Sequence, residues 1–180
     1  MAYNSEESHE TSNGAAALGS ADYRLASTFL TTSAYTLSMV ELLMYREGTP
    51  PNITLEIHGV DISEYPDNSS IATCSVDISG ITTNSAGEWV QCVLTVPVAL
   101  SNATKYGIVV GDGWTDASNR FRWLQQTGLD NYADGGKYYA STGENWAPSN
   151  YDMTWRTYSS SVGGILVPHF YSKLMQGSGL

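Results

Sequence analysis

Positive charge is scarce in this chain. Eight Lys and Arg stand against eighteen Asp and Glu, a formal net charge of −10. No run of basic residues occurs, so the counterion-releasing footprint of a nucleic-acid binder is missing. A basic amphipathic helix for a membrane surface is missing with it. Neither nucleic acid nor membrane is therefore expected as a partner. Charge of either sign is low, at 14% against ~25% in ordinary domains. No apolar run reaches the roughly eighteen residues that a membrane-spanning helix needs. Met1 to Gly14 is polar and acidic and lacks the basic and apolar regions of a secretory leader. The expectation is a chain used without that export route, or one whose leader has been removed.

Catalytic signatures are absent too. There is no H-E-x-x-H, G-x-S-x-G, Walker loop or C-x-x-C. The three histidines are His9, His58 and His169. His58 alternates with Glu56, which suggests a solvated strand face. We expect no catalytic residue and no enzymatic activity, although two distant carboxylates flanking a cleft would leave no mark in sequence. Helix signatures are missing as well, and no internal repeat is visible.

Cysteine is limited to Cys74 and Cys92. Alternation puts Cys74 on one face with Ala72, Val76 and Ile78, and Cys92 with Val90, Leu94 and Val96. Both read as inward-facing small apolar groups, so buried free thiols are expected. A bridge requires the two strands to face each other.

What the chain does have is short apolar alternation punctuated by turns. Strands are expected at Tyr23–Thr31, Tyr35–Arg46, Asn52–His58, Ile71–Ile78, Trp89–Val96, Lys105–Val110, Arg120–Gln125, Tyr138–Ala140 and Tyr151–Thr157. The spacing suits a sandwich or barrel. Tyr35–Arg46 is apolar on both faces and reads as a central, doubly covered strand with a bulge near Glu41. Gly48-Thr49-Pro50-Pro51 is a strong turn signal. Residues 1–20 have no period and little to bury, so order there would require a holder outside the domain.

Ten of the twenty aromatic residues fall between Gly113 and Tyr158. Trp123, Met153 and Trp155 sit on strand faces and read as core. Trp114, Tyr132 and Trp146 sit in Gly- and Asn-containing turns. Rings placed there suit stacking on a sugar or packing at an interface; for Trp146 the competing reading is a lid folded over the sandwich edge. Asp130, Asp134 and Glu144, with Asp112 and Asp116 nearby, offer hard oxygens of the kind calcium takes. The simpler reading is turn-forming Asp, so no cofactor is expected, with calcium the one ion these loops could hold. Asn52, Asn68 and Asn102 match the N-x-S/T pattern and are read as chance matches in a Ser/Thr-rich chain.

The order of features carries a resemblance. Tyr35-Thr-Leu-Ser-Met-Val-Glu-Leu-Leu-Met-Tyr is followed by Gly48-Thr-Pro-Pro-Asn-Ile-Thr-Leu-Glu-Ile and by Gly87-Glu-Trp-Val. Then come Pro97-Val-Ala-Leu-Ser-Asn-Ala-Thr-Lys-Tyr-Gly-Ile-Val-Val, Gly135-Gly-Lys-Tyr-Tyr, Ser141-Thr-Gly-Glu-Asn-Trp and Tyr151-Asp-Met-Thr-Trp-Arg-Thr-Tyr. This resembles the jelly-roll β-sandwich domains of choice-of-anchor surface proteins and of phage and archaeal structural proteins, which are similar in fold to carbohydrate-binding modules. The resemblance covers residues 22–158 and implies an all-β jelly-roll fold, a virion or cell-surface setting, and binding or structural duty.

The division that follows is an N-terminal arm (1–21), a jelly-roll β-sandwich (22–158) and a C-terminal extension (159–180). We expect a non-enzymatic virion component, a phage capsid decoration or tail-associated protein, docking through its extensions onto other subunits or further copies of itself. Ile165, Leu166, Val167, Phe170 and Tyr171 are the docking candidates, by strand addition to a partner's sheet edge. The alternative is a carbohydrate-binding module engaging glycans through Trp114, Tyr132 and Trp146, at a cell surface or outside the cell.

Overall fold

In a computed structural model of the chain, the described residues are 2–17, 23–111, 116, 118–128, 132–141 and 145–161. They form thirteen strands and no helix. In chain order these are β1 (Ala2–His9), β2 (Gly14–Ala17), β3 (Arg24–Leu30), β4 (Tyr35–Glu47), β5 (Ile53–Val60), β6 (Pro66–Val76) and β7 (Glu88–Leu100). Then follow β8 (Lys105–Gly111), β9 (Arg120–Gln126), β10 (Lys137–Ser141), β11 (Asn145–Ser149), β12 (Asp152–Met153) and β13 (Trp155–Ser161).

Two antiparallel sheets face each other. One holds β11-β10-β3-β8-β5-β6; the other is built around β4, with β7 on one edge and β13 and β9 sharing the opposite edge. Take β2 to β9 as strands one to eight. The first, eighth, third and sixth are then neighbours in one sheet, and the second, seventh, fourth and fifth in the other. That interleaving is the jelly roll, a double-sheet solution built from two Greek keys.

Alternation explains the core. Ile53, Leu55 and Ile57 of β5, Tyr106, Ile108 and Val110 of β8, and Leu37, Val40, Leu42 and Met44 of β4 all point between the sheets. Trp123, Met153 and Trp155 are fully buried there, as expected. Each indole finds an acceptor: Trp123 Nε1 donates to the Thr154 carbonyl at 2.7 Å, and Trp155 Nε1 to Ser27 Oγ at 3.1 Å. The bulge of β4 lies at Ser38, where its pairing with both β7 and β13 shifts, and not at Glu41. Turn chemistry behaves as written: Gly48 has φ 64°, and Gly135 lies so close under β3 that a Cβ there would clash with the Thr28 carbonyl.

Two expectations are overturned. The thiols are not free: Cys74 of β6 and Cys92 of β7 form a disulfide that ties one sheet to the other, with Cα atoms 6.1 Å apart. The strands do face each other, across the sandwich, and alternation within each strand carries no trace of that. The second concerns the N-terminal segment, which needs no outside holder. β1 pairs with β13 and β2 with β9 of the same chain, and Glu7 accepts from Thr32 N and Oγ1. Its order comes from backbone pairing, which hydropathy does not report.

The bridge closes a loop of 18 residues' separation, so the Cys74→Ala/Cys92→Ala chain should lose about 2–4 kcal/mol of stability. Urea unfolding of wild type with and without reductant measures it. Equal midpoints in the two conditions would show that the bridge contributes nothing.

Candidate functional site

The outer face of the six-stranded sheet is not open. Ala26, Val109, Tyr138, Ala140 and Trp146 form a second apolar cluster there, with Tyr65 from the β5–β6 connection packed on it. Tyr65 meets Tyr138 edge-on at 5.1 Å. Trp146 is buried, its Nε1 donating to Asn68 Oδ1 at 2.7 Å, with the Arg24 guanidinium 5.8 Å from the ring centre. This is the lid geometry, with the edge of the ring turned to a cleft.

That cleft encloses about 350 Å³ and is lined by Asp61, Tyr65, Pro66, Asp67, Asn68, Asn145 and Trp146. Its shape comes from local turns. Asp61 Oδ1 accepts from Ser63 N at 2.7 Å and Tyr65 N at 3.0 Å, and Glu64 and Asn68 sit at positive φ. Beneath it lies a charged row: Arg24 pairs with Glu56, and Glu56 Oε2 lies 3.1 Å from His58 Nε2. His58 is not solvated. It is 1% exposed, with Nδ1 3.9 Å from Asp67 Oδ1 and no hydrogen-bond partner for that nitrogen. The bulged start of β6 at Asp67 covers it, and period-two reasoning cannot see such a bulge folding over the outer face.

The other outer face carries a polar ladder centred on Glu41. Its carboxylate accepts from Tyr158 Oη at 2.6 Å, Gln91 Nε2 at 3.0 Å and Arg156 at 3.4 Å. The Arg156 guanidinium lies 3.8 Å over the Trp89 ring and donates to Glu10 at 2.7 Å. That hydrogen bond holds the Glu10 carboxyl below its ordinary range and Arg156 above its own. The ladder fastens β13, β4, β7 and the residue after β1 together. In sequence, Glu41 marks only an interruption in an apolar run.

A third surface is apolar and exposed. Ile71 of β6 and Val93 and Val96 of β7 are 44%, 54% and 68% exposed. A groove between the two strands is lined by Ser70, Ile71, Ala72, Thr73, Thr95 and Val96. These are half of the exposed large apolar side chains among the described residues, concentrated where the two sheets meet at the disulfide.

Of the rings expected to share a ligand, Tyr132 and Trp146 do not come together. Tyr132 packs against Trp155 at 5.6 Å and His9 at 5.5 Å, on the core side of the sheet whose outer face holds Trp146. Trp114 lies outside the described residues, as do Asp130, Glu144 and Asp112. So do Ile165, Leu166, Val167, Phe170 and Tyr171. Asp134 is exposed, and Asp116 spends its carboxylate on its own turn, accepting from Ser118 N and Asn119 N. Among the described residues no group of three or more His, Cys, Asp or Glu is placed to hold a metal ion. No protein-family model matches the sequence, and a search of curated proteins finds no match.

One buried charge was not foreseen. Lys137 points between the sheets, donating from Nζ to Gln125 Oε1 at 2.7 Å, with the Tyr151 ring 5.2 Å away. Burial pulls its pKa down to about 8. Between pH 8 and 10 the unfolded chain keeps this proton while the folded chain releases it, so the contribution of Lys137 to stability should rise with pH, against the opposite trend from buried tyrosines whose pKa values burial raises. The gain should be roughly 2 kcal/mol, at most about 1.4 kcal/mol per pH unit. Urea unfolding across that window checks it, and Lys137→Met should flatten the rise. A slope equal in the two proteins would assign it to other groups.

Proposed function

We propose that this chain is a non-enzymatic structural and interaction domain of an extracellular assembly, most concretely a virion component that packs against other subunits. The observation that carries this reading is the exposed apolar edge of Ile71, Val93 and Val96. Exposed apolar side chains gathered in one place on a chain of low charge mark interaction surfaces. The jelly roll is an architecture used in capsids and lectins alike, so the fold is compatible and does not decide. The Cys74–Cys92 bridge supports a setting outside the reducing cytosol. The test is sedimentation of native material: the chain should co-sediment with a particle far larger than itself and resist a salt wash. Recovery solely as a free small protein would sink the proposal.

A second reading is favoured by the cleft beside Trp146. The edge of Trp146 and the Tyr65 side chain, with Asp61, Asp67, Asn68 and Asn145 around the same cleft, combine apolar wall and convergent polar groups as a sugar site does. A neutral oligosaccharide titrated against the chain should then change tryptophan emission. Asn145→Ala, at an exposed position, should weaken the effect roughly tenfold, about 1.4 kcal/mol. An unchanged affinity in that variant would place any glycan elsewhere.

A further inference from the structure

We infer that the free edge of β6 receives the Ile165–Tyr171 segment of a second copy of this chain, added as a further strand of the six-stranded sheet. This rests on the assembly reading above and names both the receiving edge and the incoming segment.

Open sheet edges are templates for association, and folded chains blunt them with charge, proline, bulges or shortness. Most of the edges here are blunted. β1 carries Glu6 and Glu7 and a register shift between Ser5 and Ser8. β2 has four residues, and β11 has five including Pro148. β7 contains Pro97 and breaks register with β4 between Leu37 and Met39. β6 is different. It spans eleven residues and pairs only with β5 among the described residues; its pairing shifts register at Ile71 and again before Ser70, and beyond Ile71 the stretch Ala72 to Val76 has no charge, proline or shift. Ile71 stands exposed on it, and the groove toward Val96 runs alongside. A free edge whose last five residues are uninterrupted, beside an apolar groove, is open to being covered.

The segment suits the edge in length, polarity and charge. Ile165-Leu-Val-Pro-His-Phe-Tyr171 supplies apolar side chains for the groove. Its single proline is tolerated in an added strand when that nitrogen faces away from β6. Residues 162–180 contain Lys173 and no acidic residue, whereas all eighteen acids lie before them, with Asp67 and Asp77 flanking the edge. The occupant is a second copy because of reach. Three residues separate Ser161 from Ile165, a span of at most about 14 Å. The chain leaves β13, and β4 and β7 stand between it and that side of the sandwich. Three strand spacings already take about 14 Å, and the crossing to the facing sheet adds about 10 Å. The chain's own segment cannot cover that distance.

Light scattering on the whole chain, on the chain ending at Ser161 and on the Ile71→Lys/Val96→Lys chain tests this, with near-UV circular dichroism reporting the fold. Both substitutions are at exposed positions. The whole chain should form an oligomer; the shortened and the doubly substituted chains should be monomers with native spectra. A peptide of residues 162–174 should bind the shortened chain and lose binding when the two lysines are added to it. Three outcomes overturn the inference: a monomeric whole chain, an oligomer that persists with the lysines present, or a peptide indifferent to them. A chain that self-associates in this way yet is never found in a larger particle keeps the inference and removes the assembly reading. Recovery of wild-type and lysine-substituted chains in the same particle does the reverse.

Discussion

Backbone pairing along β4 is the constraint on which the rest of the sandwich depends. From Tyr35 to Met44 it pairs with β7 on one edge, while the other edge is shared between β13, from Leu37 to Leu42, and β9, from Met44 to Glu47. A strand buried on both faces and paired on both edges leaves no polar backbone group to solvent, which is why a near-continuous apolar run can be tolerated there. The sharing has a consequence at Thr154. At that residue the chain passes from pairing with β9 to pairing with β4, and its hydroxyl and amide both return to the Leu124 carbonyl while its own carbonyl takes the Trp123 indole. The joint between the two strands is thus filled by one side chain and one backbone unit. Trp123 and Trp155 pack into the core on either side of it.

The fold was legible in the chain because its signal is local. Period-two alternation in β5 and β8, the apolar run of β4 and the turns at Gly48 and Gly135 each depend on a few consecutive residues. What was not legible depends on distant partners. Cys74 and Cys92 read as inward-facing, correctly, but whether two inward-facing thiols meet is a matter of which strands oppose each other across the core. β1 and β2 carry little apolar surface, and their order comes from hydrogen bonds to β13 and β9, which composition does not encode. His58 looked solvated because its strand alternates cleanly, yet the Pro66–Asn68 stretch folds over it. Tyr132 and Trp146 looked like one aromatic platform and lie on opposite faces of one sheet.

The distribution of polar groups narrows where this molecule can meet others. Each sheet has an outer face, and on each the central strands are already occupied by the chain itself. One face is closed by Tyr65, Trp146 and the Arg24–Glu56–His58 row, the other by the Glu41–Arg156–Tyr158 ladder. Networks of that kind rigidify a surface and resist being remade by a partner, since breaking them leaves further polar groups without bonds.

Edges behave differently. A strand edge offers backbone donors and acceptors that are satisfied by water when free and by another strand when covered, so the exchange costs little in hydrogen bonds. The net gain then comes from whatever apolar surface is buried beside it. In this chain that surface lies with Ile71 and Val96, next to the disulfide that stops β6 and β7 from separating. A bridge at that point holds the groove at fixed width, so a strand docking there meets a preorganised site and does not have to order it. Preorganisation of that sort raises affinity without adding contacts, and it sets the disulfide-linked side of the sandwich apart from its two self-occupied faces.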